Sequence, residues 1–176
     1  KYNKPGDVFL GVVHRIDRPV GGAVLMAKTS KALVRLNEQL RERKFRKIYW
    51  AIVEKAPEQP QGQLRHWIVR NGKTNKSTAY NTPEQVPQNL RAEAKEALLK
   101  YGMIASSDRY HLIEIELLTG RHHQIRCQLA KIGCPIKGDL KYGAARSNKD
   151  GGISLWARQL TFDHPVKHEP ITVTAP

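Results

Sequence analysis

Three short segments carry residue types that could do chemistry. The first is His14 to Gly22, H-R-I-D-R-P-V-G-G, in which Asp17 sits between Arg15 and Arg18 on a stretch bounded by Pro19 and the Gly21-Gly22 pair. Flanking cations favour the ionised carboxylate, and an ionised carboxylate on a loop is available as a nucleophile or a base. The same pattern also describes an ordinary surface ion pair beside a turn. The second segment is T-G-R-H-H-Q-I-R, Thr119 to Arg126, where a glycine leads into a predicted helix whose first turns carry Arg121, His122, His123 and Arg126. Helix N-termini and arginines both bind phosphate, so this segment suits a polyanion; read plainly, it is a solvated basic helix start. The third is K-I-Y, Lys47 to Tyr49, a strand tyrosine that fits a core as well as a site. His14, Asp17 and His122 raise the question of a metal. However, His14 and Asp17 are three apart on a predicted loop and no H-E-x-x-H occurs, so no metal is expected.

These segments need elements to position them. Residues 8–13 and 23–27 are short apolar runs on either side of the polar, Gly- and Pro-containing stretch, which is the pattern of strand, loop, strand. Thr29 or Ser30 can cap a helix with Ala32, Leu33, Leu36 and Leu40 on one face, ending in the basic run Arg41 to Lys44. From Phe45 to Glu54 the side chains alternate, with Phe45, Lys47, Tyr49, Ala51 and Val53 on one face of a strand. Residues 55–62 read as a loop, 63–69 as a strand, 71–76 as a tight polar turn and 81–96 as an exposed insertion. Residues 97–105 fit helix or strand. Residues 110–118 alternate as a strand, and a helix carrying Ile125, Leu129 and Ile132 follows Gly120 and closes at Gly133. Short strands near 153–158 and 171–174 finish the chain. Asp139 is expected to order a turn, and Trp67 and Trp156 to lie in the core. Many strands and few helices predict an α+β domain on a mainly antiparallel, mixed sheet.

A chain of 176 residues can bury a core as one domain. Its 30 Lys and Arg outnumber 16 Asp and Glu for a net charge of +14, a surface that attracts nucleic acid. Two cysteines, Cys127 and Cys134, suggest neither a disulfide framework nor a zinc site, and point to a reducing compartment such as the cytoplasm. No apolar run is long enough to cross a bilayer, so no membrane partner is expected.

Taken jointly, the segments resemble the RluA-type pseudouridine synthases. The family's H-R-L-D-x-x-(T/V)-S-G is similar to His14 to Gly22, its K-x-Y-x-A strand to Lys47 to Ala51, and its G-R-x-H-Q-(I/L)-R to Gly120 to Arg126. Its G-x-P-I-x-G-D resembles Gly133 to Asp139, and its L-x-A-x-x-L-x-F-x-H-P resembles Leu155 to Pro165. All five come in the family's order. Gly21 departs from it, standing where a small hydroxyl residue is usual. Family catalytic domains also begin with a strand well upstream of H-R-L-D. Asn3-Lys4-Pro5 resembles the family's upstream N-K-P but lies too close to Asp17 to be that element, so residues 1–176 are expected to be one catalytic domain shortened at its N-terminus.

The resemblance implies the pseudouridine synthase catalytic fold and an enzyme, without cofactor or metal, that detaches uracil at N1, turns it and rejoins it through carbon 5. It implies Asp17 acting on the sugar, Tyr49 stacking on the base and assisting proton removal, and Arg126 pairing with Asp17. Arg15, Arg18, Arg121, His122 and His123 would bind RNA, ribosomal in preference to transfer RNA. Two rival readings remain: a basic RNA-binding module without turnover, and a metal-dependent hydrolase using His14, Asp17 and His122.

Overall fold

In the computed structural model, which describes residues 8–176, the chain forms a mixed and mostly antiparallel sheet with two helices. Asn3 to Pro5 lie outside the described residues. The strands are β1 (Gly11–Val12), β2 (Gly21–Gly22), β3 (Met26–Ala27), β4 (Arg46–Val53), β5 (Gln61–Asn71), β6 (Lys76–Tyr80), β7 (Lys95–Ser106), β8 (His111–Leu117), β9 (Leu155–Asp163) and β10 (Pro170–Thr174). The helices are α1 (Ser30–Arg41) and α2 (Gln124–Lys131). The main sheet runs β10-β9-β4-β8-β7-β5-β6, all antiparallel, while β1 and β3 pair separately. The parallel element is β2, which lies along β9 beside Trp156 and Ala157 and makes the sheet mixed.

Local chemistry explains the elements that matter here. The Thr29 side chain accepts the Ala32 amide proton at 3.2 Å, the expected cap of α1. The apolar face of α1, Leu36 above all, packs with Phe45, Leu160 and Phe162. In β4 the alternation holds: Tyr49, Ala51 and Val53 join Leu99, Ile113 and Ile115 under Ile125 and Leu129 of α2. Leu129 has no exposed surface, so truncation to alanine there costs about 2–5 kcal/mol. This packing fixes α2 against β4, and so fixes Arg126 relative to Tyr49.

Several expectations change. Only Gly11 and Val12 of the first apolar run pair as strand, and Val8, Phe9 and Leu10 are exposed. The glycine pair, expected as the end of the loop, is instead strand β2. Residues 97–105 resolve as the middle of β7, because β5 and β8 flank them and supply both sets of ladder bonds. The 71–76 turn is followed by β6, whose K-S-T-A-Y pattern buries Ser77 and Ala79. The stretch 81–96 contains two short 3-10 turns that bury Val86. Strand β9 runs on to Asp163, since β4 and β10 both pair along it. Trp156 is not core: it is 39% exposed on β9, and Trp67 is only half-buried, with the Arg65 guanidinium 5.2 Å above its ring.

Candidate active site

The loop that carries Asp17 is tied down at several points. At its base the Val13 amide donates to the Leu25 carbonyl at 3.2 Å, and the Leu25 amide donates to Nε2 of His14 at 3.1 Å. His14 is thus a structural acceptor, and burial, then the Lys47 charge, lowers its pKa and keeps the ring neutral. Within the loop the Val20 amide donates to the Asp17 carbonyl at 3.0 Å, closing a turn around the carboxylate. Ile153 donates to the Pro19 carbonyl and Ala23 to the Ala157 carbonyl, which join the loop to β9. Gly21 lies directly under the Trp156 ring, so that a Cβ there would overlap the indole. That accounts for glycine where the resemblance leads one to expect a hydroxyl residue. Gly22 has φ +114°, a conformation glycine adopts without strain.

Asp17 faces α2. Its Oδ2 receives NH1 of Arg126 at 3.3 Å and lies 3.9 Å from Nε2 of His123. Neither Arg15 nor Arg18 pairs with Asp17 among the described residues; both are exposed, so the sequence neighbours do not supply the counter-charge. Arg126 is 5% exposed and is held from its other side by Asp139, 1% exposed, through Nε to Oδ2 at 2.7 Å and NH2 to Oδ1 at 2.8 Å. This two-pronged, charge-assisted pair is the geometry that fixes a guanidinium most firmly. Burial lowers the pKa of Arg126, but the bonds to Asp139 and then Asp17 outweigh it and raise the value overall. Asp139 therefore does more than order a turn. Its amide and carbonyl do bond within Ile136 to Ala144, but its carboxylate orients the arginine that meets Asp17.

Behind this pair lies a polar layer. Tyr142 lies edge-on to His123 and under the Arg126 guanidinium at 5.0 Å, and its hydroxyl is 2.9 Å from Nδ1 of His123. The Ser77 amide donates to that hydroxyl at 2.8 Å. The Ser77 hydroxyl donates to the His122 carbonyl, and Nδ1 of His122 is 2.8 Å from it. Nε2 of His122 is 3.1 Å from Asn75. The helix begins only at Gln124, so Arg121, His122 and His123 precede it, with His123 in the left-handed region at φ 51°. His123 is 8% exposed and points at Asp17, away from the surface placement suggested by the sequence. Burial first, and then Arg126 and His122, push its pKa down to about 4 against the pull of Asp17. The Arg121 guanidinium donates to the Glu96 carbonyl at 2.9 Å and lines the same space as Asp17.

That space is a cleft of about 520 Å³ lined by Asp17, Arg15, Lys47, Tyr49, Arg121 and Arg126 among others. Tyr49 is 9% exposed, and burial, with the Asp17 charge second, raises its phenol to about 12, so it is protonated at neutral pH. Lys47 is half-buried in the cleft, and burial lowers its pKa. Arg18 lies on the other side of the loop, in a cavity lined by Trp50 and Trp156. The arrangement joins a carboxylate, an anchored counter-charge, an aromatic ring and several cations in one cleft. Nε2 of His14 is engaged as an acceptor by the Leu25 amide, and both ring nitrogens of His122 lie within hydrogen-bond distance of Ser77 and Asn75. Asp139, read only as a turn residue, and Tyr142 and Ser77, not named at all, are residues around the site to which sequence reasoning assigned no part in it. For the first two, the G-D-x-x-Y-G spacing of Gly138 to Gly143 was the available signal.

A family model described as RNA pseudouridylate synthase matches residues 1–131. An uncharacterized RNA pseudouridine synthase of Synechocystis sp. is 34% identical over 169 residues, covering 94% of this chain and 49% of its own length. Ribosomal large subunit pseudouridine synthase C of Buchnera aphidicola is 31% identical over 181 residues, covering 98% of this chain and 55% of its own. The chain thus spans about half the length of these curated relatives. The solved structure of human RNA pseudouridylate synthase domain containing 4 superposes with TM-score 0.75 at 23% identity, covering 95% of this chain and 71% of that one, a likeness of fold.

Proposed function

The chain belongs to the RNA pseudouridylate synthase family, and we propose on that premise that it isomerises uridines in structured RNA to pseudouridine, with Asp17 as the catalytic carboxylate. The observation that carries this reading is the meeting of Asp17, Arg126 and Tyr49 in one cleft, from a loop, a helix and a strand far apart in the chain. The reaction breaks the bond between N1 and the sugar, turns the base, joins carbon 5 to the sugar, and removes the carbon 5 proton while N1 gains one, so that product and substrate are isomers. Asp17 adds to the substrate or removes a sugar proton, and both routes need the ionised, oriented carboxylate that Arg126 supports. Tyr49 offers its ring to the detached uracil and keeps it in place; stacking on an aromatic suits a base turned out of its helix.

Arg15, Arg18, Arg121 and His122 are read as RNA contacts, the first two from their exposure, and residues 1–176 as one catalytic unit. His123, assigned to RNA in the sequence reading, is given a place beside Asp17 instead. Ribosomal RNA is favoured over transfer RNA because the named Buchnera relative acts on the large ribosomal subunit, and that substrate favours action in the cytoplasm. The test incubates the chain with total RNA lacking pseudouridine and maps modified positions, with wild type and with Asp17→Asn. Wild type is expected to form pseudouridine and Asp17→Asn none. RNA binding without conversion, or equal conversion by both, would overturn the proposal, and loss of activity on chelation would favour the metal-dependent rival.

A further inference from the structure

The hydrogen bonds around His123 point to where its ring proton lies. The Tyr142 oxygen accepts the Ser77 amide proton at 2.8 Å, and its own proton then has Nδ1 of His123 at 2.9 Å as an acceptor. An Nδ1 that accepts leaves the proton of a neutral imidazole on Nε2. That nitrogen is 3.9 Å from Oδ2 of Asp17, the same oxygen that NH1 of Arg126 approaches at 3.3 Å. Oδ1 of Asp17 has no hydrogen-bond partner among the described residues.

We propose that Tyr142 and His123 are positioning residues. Tyr142 sets the histidine tautomer, Arg126 holds Oδ2 at 3.3 Å, and the Nε2–H of His123 faces that same oxygen from 3.9 Å, a separation that closes to a hydrogen bond when substrate binds, so that Oδ1 is the oxygen presented to substrate. This rests on the reading of Asp17 as the reacting carboxylate. Stacking of the His122 ring on His123 at 3.8 Å and the left-handed backbone at His123 fix the plane and direction of the imidazole. The charged and titratable groups that face it are Asp17, Arg126, His122, Lys141 and Tyr142. A neutral N–H facing the carboxylate adds no second full charge beside it, which preserves its basicity better than another cation would.

The experiment uses the full chain with ¹⁵N-labelled histidine and reads two-bond ¹H–¹⁵N correlations at pH 7.5. His123, identified by the signal missing in His123→Asn, is expected as the neutral Nε2–H tautomer, and Tyr142→Phe is expected to shift it toward a mixture of tautomers. On unmodified RNA, His123→Asn keeps the left-handed backbone but lacks the donor, so kcat falls about tenfold with KM little changed, and Tyr142→Phe behaves alike. His123→Gln, whose amide reaches the position of Nε2, restores part of the loss. An Nδ1–H tautomer or an imidazolium in the wild type overturns the proposal, as does wild-type kcat in both His123→Asn and Tyr142→Phe. The spectrum needs no turnover, so failure here is distinct from failure of the isomerase reading.

Discussion

Replacing Asp139 by asparagine tests how much of the site hangs on one buried carboxylate. The Arg126 guanidinium gives two of its donor atoms to Asp139 and a third to Asp17, and its side chain is almost wholly buried. Asparagine keeps one acceptor but puts an N–H₂ against the Arg126 Nε–H, donor facing donor, and removes the charge. Breaking a buried pair by removing one partner costs about 3–5 kcal/mol; the retained bond and the nearby Asp17 carboxylate reduce that to about 2–4 kcal/mol. For a chain of this size each kcal/mol lowers Tm by about 2–4 °C, so the variant should melt about 5–15 °C below wild type. Urea unfolding would be measured for wild type, Asp139→Asn, Arg126→Met and the double variant. The cycle should return a coupling of about 2 kcal/mol or more, because Arg126→Met removes the charge that Asp139 compensates. Turnover should also fall, since a guanidinium released from Asp139 no longer meets Asp17 in one geometry. Stability within about 0.5 kcal/mol of wild type, or a coupling near zero, would refute the reasoning.

Three further outcomes are expected. Gly21→Ser should destabilise by about 1–3 kcal/mol because the new Cβ overlaps the Trp156 ring, and Trp156→Ala in the same chain should recover most of it; equal losses with and without Trp156 would rule out the clash. Tyr49→Phe should retain turnover to within about tenfold, while Tyr49→Ala loses the ring and about 1–3 kcal/mol of base stacking; with the phenol near 12, no limb of the pH–rate profile below pH 11 should disappear in Tyr49→Phe. His123 titrates near 4 when folded and near 6.5 when unfolded, so between those values the unfolded chain binds a proton that the folded chain does not. Stability should therefore fall as pH drops from about 6.5 to 4, by on the order of 3 kcal/mol from this group, and His123→Asn should flatten that part of the curve; parallel curves would contradict it.

Much of the site was legible because its residues sit in contiguous patterns. The placement of Asp17 on a loop, Tyr49 on an alternating strand and Arg126 on a periodic helix was readable from local spacing, as was the α+β class, whereas their joint role came only from the family resemblance. What escaped depends on partners distant in sequence. The counter-charge of Asp17 was assigned in part to Arg15 and Arg18, which precede and follow it, yet a loop turn aims those side chains outward and the nearby guanidinium comes from residue 126. Asp139 read as a turn residue because its backbone does order a turn; nothing local signals that its carboxylate is buried against an arginine. Residues 97–105 carry no decisive period because β7 is covered on one face over its first half only, with Ala97 and Leu99 buried and Ile104 exposed. Trp156 was taken for core on hydrophobicity alone, and its position over a bare glycine depends on a parallel pairing that no local pattern announces.

The dependence of the Asp17 loop on β9 also sets an order in time. Gly21 and Gly22 pair with Trp156 and Ala157, and Pro19 with Ile153, so the loop has no template until those later residues have been synthesised. At about 5–20 residues per second, some 140 residues separate the two by roughly 7–30 s of translation. A nascent chain thus displays its carboxylate early, while the turn that holds Asp17 gains its fixed position only when β9 emerges.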